Sequence, residues 1–358
     1  MKKMVFCVIP LMILMGCISS GKANTNQGQS QGAQSTPDWV QNPEQAYPST
    51  DWVAVTGQGA GQKEAEDAAM NALARAFKTD IASLTEANQR FFQIVNDVAG
   101  KKSVNFNEGR DFSSQVKTAS SVKALIGVET GIFQSAEGTW YANARMNRRE
   151  CAARYAGMVR ENEAVIKTLL GRAATLEGRS GFEAYAALYY AASVAQVTDN
   201  FQNILEVLDP SSVNRRPGYG GAAAIKTRML TMSGRITLGL SVETEDRQEA
   251  VTIRRALGAL FTGMGFKVNE QGMGDYILNA RVMFEVVDTT QVRTCRWFLD
   301  AALKARDGRV LFSYTGQDRA AHFLDQEARR LALRDVESSV KEGDFAGNFD
   351  AWLGSLLE

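Results

Sequence analysis

From Arg148 to Asp209 the apolar residues recur every 3.6 positions, and on both sides of that stretch they alternate instead. This switch of period constrains the fold more than any other feature of the 358-residue chain. Helical spacing buries one stripe, whereas alternation buries one face of a strand. Tyr155, Val159, Ile166, Leu169, Leu170 and Ala173 mark one helix, and Gly178 and Gly181 interrupt it. Phe182, Tyr185, Leu188, Tyr189, Ala192, Ile204 and Leu208 mark a second. The expectation is a helical hairpin over 148–210, followed by a linker over 211–233 that includes Asn214-Arg215-Arg216-Pro217-Gly218.

Ahead of the hairpin, residues 37–147 predict an α+β layer pair. Trp52-Val53-Ala54-Val55 reads as a strand that ends in the turn Gly57-Gln58-Gly59-Ala60-Gly61. A helix is expected from Lys63 to about Val98, with Ala65, Ala68, Ala69, Ala72, Leu73, Ala76, Phe77, Ile81 and Leu84 on one face. Three strands should follow, carrying Phe112, Val116 and Val122, then Ile126, Val128 and Ile132, then Trp140, Ala142, Ala144 and Met146. Beyond the linker, residues 234–358 predict a second such domain. Ile236 to Val242 alternates, and Asp246 is placed to cap a helix with Val251, Leu257, Leu260 and Phe261 inward. Strands follow over Tyr276–Phe284 and Cys295–Leu303, and Asp307-Gly308 signals a tight hairpin. A helix from His322 to about Val340 precedes a short one striped with Phe345, Phe349, Trp352, Leu353 and Leu356. The fold class expected is α+β, two β-α-β-β-β-type domains joined by the helical hairpin.

The chain opens with Lys2 and Lys3, then an apolar run from Met4 to Met15. That run is too short for a bilayer span, which needs about 20 apolar residues. It has the layout of a secretion signal. Leu14-Met15-Gly16-Cys17 resembles the lipobox of bacterial lipoproteins, with Met15 where a small residue is usual. The resemblance implies cleavage after residue 16 and lipid, palmitate included, on Cys17. Residues 1–16 are then a signal peptide. Residues 17–36, rich in Gly, Ser, Asn and Gln, are a tether with a typical reach of roughly 25 Å. Ile18 follows the cysteine in place of the aspartate that retains a lipoprotein at the inner membrane, which favours the outer membrane; the periplasmic face is the side expected, though no residue encodes it.

Bulk numbers exclude some functions. Formal net charge is zero, and loss of Lys2 and Lys3 makes it about −2, so no electrostatic footprint for nucleic acid appears. Cys7 leaves with the signal and Cys17 is acylated, which leaves Cys151 and Cys295 in the folded part. Two cysteines cannot build a disulfide framework. They are read as two separate buried thiols, with a single bridge as the alternative.

Pro37-Asp38-Trp39-Val40, then Trp52-Val53-Ala54-Val55-Thr56-Gly57-Gln58-Gly59, then Glu64-Ala65 with Ala68, Ala69 and Ala72 resemble the opening of the Lpp-twenty lipoprotein family. The amino-terminal domain of flagellar assembly protein T is similar. The likeness covers residues 37 to 150 and implies an envelope lipoprotein of two-membrane bacteria, with no enzymatic activity. More loosely, Asp275-Tyr276-Ile277-Leu278, the long hairpin and the helix with Glu327-Ala328 are similar to the amino-terminal part of TolB and to lipoproteins that activate envelope synthases. The pattern of small and large residues in the hairpin resembles one tetratricopeptide unit.

The chemistry-bearing residues point away from catalysis. Gln62 stands where a dinucleotide loop would need its third glycine, so Gly57, Gly59 and Gly61 read as a turn that needs backbone freedom. His322 is the single histidine, at a strand-to-helix junction and without a Gly-x-Ser-x-Gly elbow. Glu243/Glu245 and Asp325/Glu327 have the spacing of solvated edges. Tyr190 is the aromatic expected to be exposed for contact. The expected function is a non-enzymatic binding or scaffolding module on a lipid anchor, serving envelope or motility-machine assembly, with no cofactor and no metal. Its partners are the membrane through the lipid and an envelope protein, and peptidoglycan is a further candidate. The alternatives are a carrier of an apolar ligand, held in a cavity lined by Leu278, Val282, Leu299 and Phe312, or a peptidoglycan-associated enzyme or regulator.

Overall fold

Alanine and glycine on facing surfaces let the first helix lie close against the first sheet. In the computed structural model, which describes residues 36–77, 125–214, 217–289 and 292–357, that pairing follows two single-turn helices. These are α1 (Asp38–Gln41) and α2 (Pro43–Ala46). Strand β1 (Trp52–Gly59) leads into α3 (Gln62–Ala76), and β2 (Glu129–Gln134) and β3 (Trp140–Asn147) complete an antiparallel sheet in the order β1-β3-β2. Val53, Ala142, Ala144 and Met146 face Ala65, Ala69 and Leu73 of α3, and all are buried. A Cβ at Gly57 would lie 2.2 Å from the Ala69 nitrogen and 2.4 Å from the Ala65 oxygen, so only glycine admits the helix there.

Helix α3 closes at Ala76 with Phe77 as its cap, short of the expected Val98. Ile81, Leu84 and the strand expected at Phe112, Val116 and Val122 lie outside the described residues. The next strand starts at Glu129, later than expected. Ile126 precedes it, and its N–H donates to the Tyr155 hydroxyl at 3.0 Å. Ile132 is 42% exposed because β2 is an edge strand, whereas Phe133 is buried beside Tyr141 on the other face.

Helices α4 (Arg148–Leu176) and α5 (Gly181–Leu208) form the hairpin. Asn147 caps α4 by accepting from the Glu150 N–H at 3.1 Å. Helix α5 buries sixteen residues around most of its circumference, and a helix that is apolar on all sides must be central. Pro37–Glu358 form one compact unit. The general α+β class stands, with two separate sheets. The stretch expected as a linker, 211–233, holds regular structure. It contains a 3-10 turn (Pro210–Asn214) and helix α6 (Ala222–Ser233), which buries Ile225, Met229 and Met232 in the common core. Gly220 and Gly221, at φ of 80° and 85°, make the sharp entry that resembled a flexible connection.

The second sheet has the order β5-β4-β6-β7-β8. Strand β4 (Thr237–Glu243), helix α7 (Arg247–Gly263) and the short β5 (Lys267–Asn269) make a parallel unit. Asp246 caps α7 as expected, accepting from the Gln248 N–H at 2.6 Å. Ile253 takes the inward place expected of Val251, which is 38% exposed. Strands β6 (Tyr276–Thr289), β7 (Val292–Ala305) and β8 (Val310–His322) form an antiparallel meander, and β5 adds one strand to the expected plan. Helices α8 (Asp325–Lys341) and α9 (Asp344–Ser355) cover one face. Phe349 of α9 packs edge-on against Phe312 at 5.3 Å and Phe261 at 5.1 Å. Trp352 packs against Phe182 of the hairpin at 5.4 Å. The Arg172 guanidinium of α4 donates to the carbonyls of Leu356, at 2.8 Å, and Leu357, which ties the end of α9 to the hairpin.

Candidate interaction groove

The turn before β1, the first turns of α4 and the last turn of α5 converge without filling the space between them. The result is an open groove of about 1030 Å³. Trp52, Ala152, Ala156, Leu205 and Leu208 give it apolar lining. Both signs of charge line it too, with Asp51, Glu150 and Asp209 beside Arg149. Arg148 holds the three elements in place. Its Nε donates to the Ser49 carbonyl at 2.8 Å, and its Nη1 donates to the carbonyls of Val207 and, at 3.3 Å, Leu208. A guanidinium at the carboxyl end of α5 meets the negative end of the helix dipole. The Ser212 hydroxyl is committed to the Asp209 carbonyl at 2.7 Å. A lining that mixes apolar side chains with both signs of charge is suited to protein or peptide contact.

On the outer face of the first sheet, Arg145 gathers a second polar cluster. Its Nε and Nη2 pair with Glu129 at 3.0 and 2.9 Å, and its Nη1 donates to the Tyr47 hydroxyl at 2.7 Å. The guanidinium lies 4.7 Å from the Tyr47 ring centre and 5.9 Å from that of Trp52. Beside the second sheet, Glu249 of α7 accepts from Arg329 of α8 at 2.5 and 3.0 Å, and Arg329 lies 5.2 Å from the ring of Phe284 on β6. The Glu249 carboxylate raises the pKa of Arg329 further. These clusters escaped sequence reasoning because each joins residues 16 to 98 positions apart. The outward parity of Arg145 next to Trp52 was the one available signal.

The residues singled out from sequence have structural duties. Cys17 lies outside the described residues. Gly57 is absent from the positive-φ glycines, so close helix approach, not backbone handedness, explains it. The Ala60 N–H in the glycine turn donates to Glu64 at 2.9 Å, which places a carboxylate at the position a phosphate would take. His322 accepts the Leu324 N–H at 3.1 Å through Nδ1 and closes the turn into α8. Glu245 pairs with Arg329 at 3.6 Å, Asp325 with Arg293 at 3.3 Å and Glu327 with Arg330 at 2.7 Å. Glu243 lies opposite Arg281 in the sheet register.

Cys151 and Cys295 are free, buried thiols, and burial pushes both pKa values up. Tyr190 is corrected. It is 1% exposed, and its hydroxyl donates to the Asp350 carbonyl at 3.2 Å, because both flanks of α5 are covered. Leu278, Val282, Leu299 and Phe312 are packed core residues. Among the described residues no group of His, Cys, Asp or Glu could hold a metal ion, and no helix is long and apolar enough to cross a membrane.

No family model matches the chain, and no curated protein matches it. Among solved structures, the secreted protein HP1454 from the human pathogen Helicobacter pylori is similar at 11% identity and a TM-score of 0.32, over 81% of this chain and 96% of that one.

Proposed function

We propose that this chain is a lipid-anchored lipoprotein of the outer membrane, on its periplasmic side, acting as a non-enzymatic binding or scaffolding module in envelope or motility-machine assembly. One observation carries the reading. Leu14-Met15-Gly16-Cys17 follows a charged and then apolar leader, and a polar stretch separates it from Pro37. The residues resembling the Lpp-twenty family support the same address. The groove beside Arg148 supports binding over chemistry, since apolar side chains share its lining and the Ser212 hydroxyl and Arg148 are engaged structurally. We also read the two halves as variations of one β-α-β-β-β plan. Each opens strand-then-helix and closes on antiparallel strands.

The test has two arms. Cys17→Ala should move the mature chain from the membrane to the soluble envelope fraction, or leave uncut precursor. A variant that is fully processed yet still resists salt washing from membranes refutes the anchor. A photo-crosslinker at Ala153, on the groove wall, should give a discrete protein adduct in intact cells, and a crosslinker on the exposed Lys341 should not give that adduct.

A further inference from the structure

We propose that residues 37–47 form a releasable strap, latched by Arg145 over the outer face of the three-stranded sheet. The strap's backbone hydrogen bonds stay within the strap. The N–H groups of Val40, Asn42, Gln45, Ala46 and Tyr47 all donate to carbonyls of residues 37–43. None of the residues of α1 and α2 is buried. The attachments to the sheet described above are made through side chains instead. Tyr47 meets Arg145 through its hydroxyl and its ring, and stands edge-on to Trp52 at 5.6 Å. Trp39 lies against Gly131, where a Cβ would come within 3.9 Å of the indole. Beneath this contact Asn143, opposite Gly131 in register, is 0% exposed and donates to the Val55 carbonyl at 3.3 Å.

A segment joined in this way can lift as a unit without breaking the sheet ladder. Its hinge is the turn at Pro48, whose carbonyl accepts from Asp51 and Trp52, and the ladder is secured just beyond by the Arg148 N–H on the Asp51 carbonyl at 2.8 Å. Sub-global opening of this kind belongs to segments with little buried apolar surface. Release frees the eleven residues 37–47, worth about 36 Å of extended chain. Added to a lipid tether, this would lengthen the reach of the folded part from the membrane. That gain in reach rests on the anchor reading, but the opening does not.

Hydrogen exchange on the full chain in detergent tests the latch. In Arg145→Ala the strap amides of Val40 to Tyr47 should exchange about tenfold faster or more, the equilibrium worth of a hydrogen bond to a charged group. Amides of the β1–β3 ladder should keep their rates. Unchanged strap exchange overturns the proposal, as does equal loss of protection in strap and ladder. If Arg145→Ala does not fold, Tyr47→Phe decides by the same two comparisons, since it leaves the Glu129 pair in place. Failure of Cys17→Ala to release the chain would remove the anchor and leave the exchange result standing.

Discussion

Phe349 is where the hairpin and the second sheet share one core, and its removal tests whether the molecule is a single cooperative unit. The ring is 1% exposed. It contacts Phe312 at 5.3 Å from the sheet, Phe261 at 5.1 Å from α7, Trp352 at 5.1 Å from its own helix and Phe182 at 6.4 Å from α5. Truncation of a buried Phe to alanine costs about 3–5 kcal/mol in transfer and cavity terms. Edge-on aromatic pairs add roughly 0.5–1.5 kcal/mol beyond area. Three edge-on neighbours and one tilted one put Phe349→Ala at the upper part of that range, whereas Trp352→Ala should cost less because Trp352 is only partly buried. The assay is urea unfolding of the full chain in detergent, followed by near-ultraviolet circular dichroism, with hydrogen exchange read separately in α3 and in β6 to β8. A large fall in midpoint with both halves losing protection together is expected. A cost below about 1 kcal/mol, far from the range for buried aromatics, refutes the packing argument. Loss confined to β6–β8 and α9 refutes the single unit.

Gly57→Ala should destabilise by about 1–3 kcal/mol, the usual cost of overpacking, because the new methyl meets α3 backbone and no side chain can move aside. Thermal melts decide, and a neutral result means that α3 sits further from the sheet. Asp199 on α5 accepts from the Ala222 N–H at 2.9 Å, and burial raises its pKa above the ordinary 3.8. Native Asp199 therefore binds its proton more tightly than unfolded Asp199 does. Its contribution is full below pH 3.8 and is lost as pH rises through the raised value. Asp199→Asn keeps the acceptor and removes the buried charge, so its urea midpoint at pH 7 should equal or exceed that of the wild type, with the gap closing near pH 4. A markedly lower midpoint at pH 7 would show that the carboxylate's charge at the start of α6 outweighs its desolvation.

Elements whose burial is set by their own periodicity were legible in the sequence. The hairpin, the capping by Asp246 and the turn at Asp307-Gly308 follow from local chemistry, and Gly308 has the φ of 85° that the turn needs. Where burial depends on distant neighbours, the pattern misled. Ile132 alternates correctly but sits on an edge, and Tyr190 lies off the apolar stripe yet is buried by α9 on the far flank. Helix α6 was hidden by the glycines that begin it. Its twelve residues hold few large apolar side chains, so it needs α5 to exist at all.

The candidate site was less legible than the fold for a physical reason. Its geometry depends on two arginines three positions apart, Arg145 at the end of β3 and Arg148 at the start of α4. At the strand-to-helix junction the side-chain direction changes from alternating to rotating, so neighbours in sequence address different targets. Arg145 reaches across the sheet to Tyr47 and Glu129, while Arg148 reaches Ser49 and the end of α5. Of the partners at the near end, Tyr47 belongs to the strap and Ser49 to the turn that hinges it. One junction therefore holds the strap over the sheet and also shapes one wall of the groove. Opening the strap would act on the groove through its hinge turn, because Ser49 to Asp51 line it. A ligand that binds the closed groove should slow exchange of the strap amides, whereas a partner that binds only the open form should accelerate it. This coupling requires no contact between the ligand and Arg145.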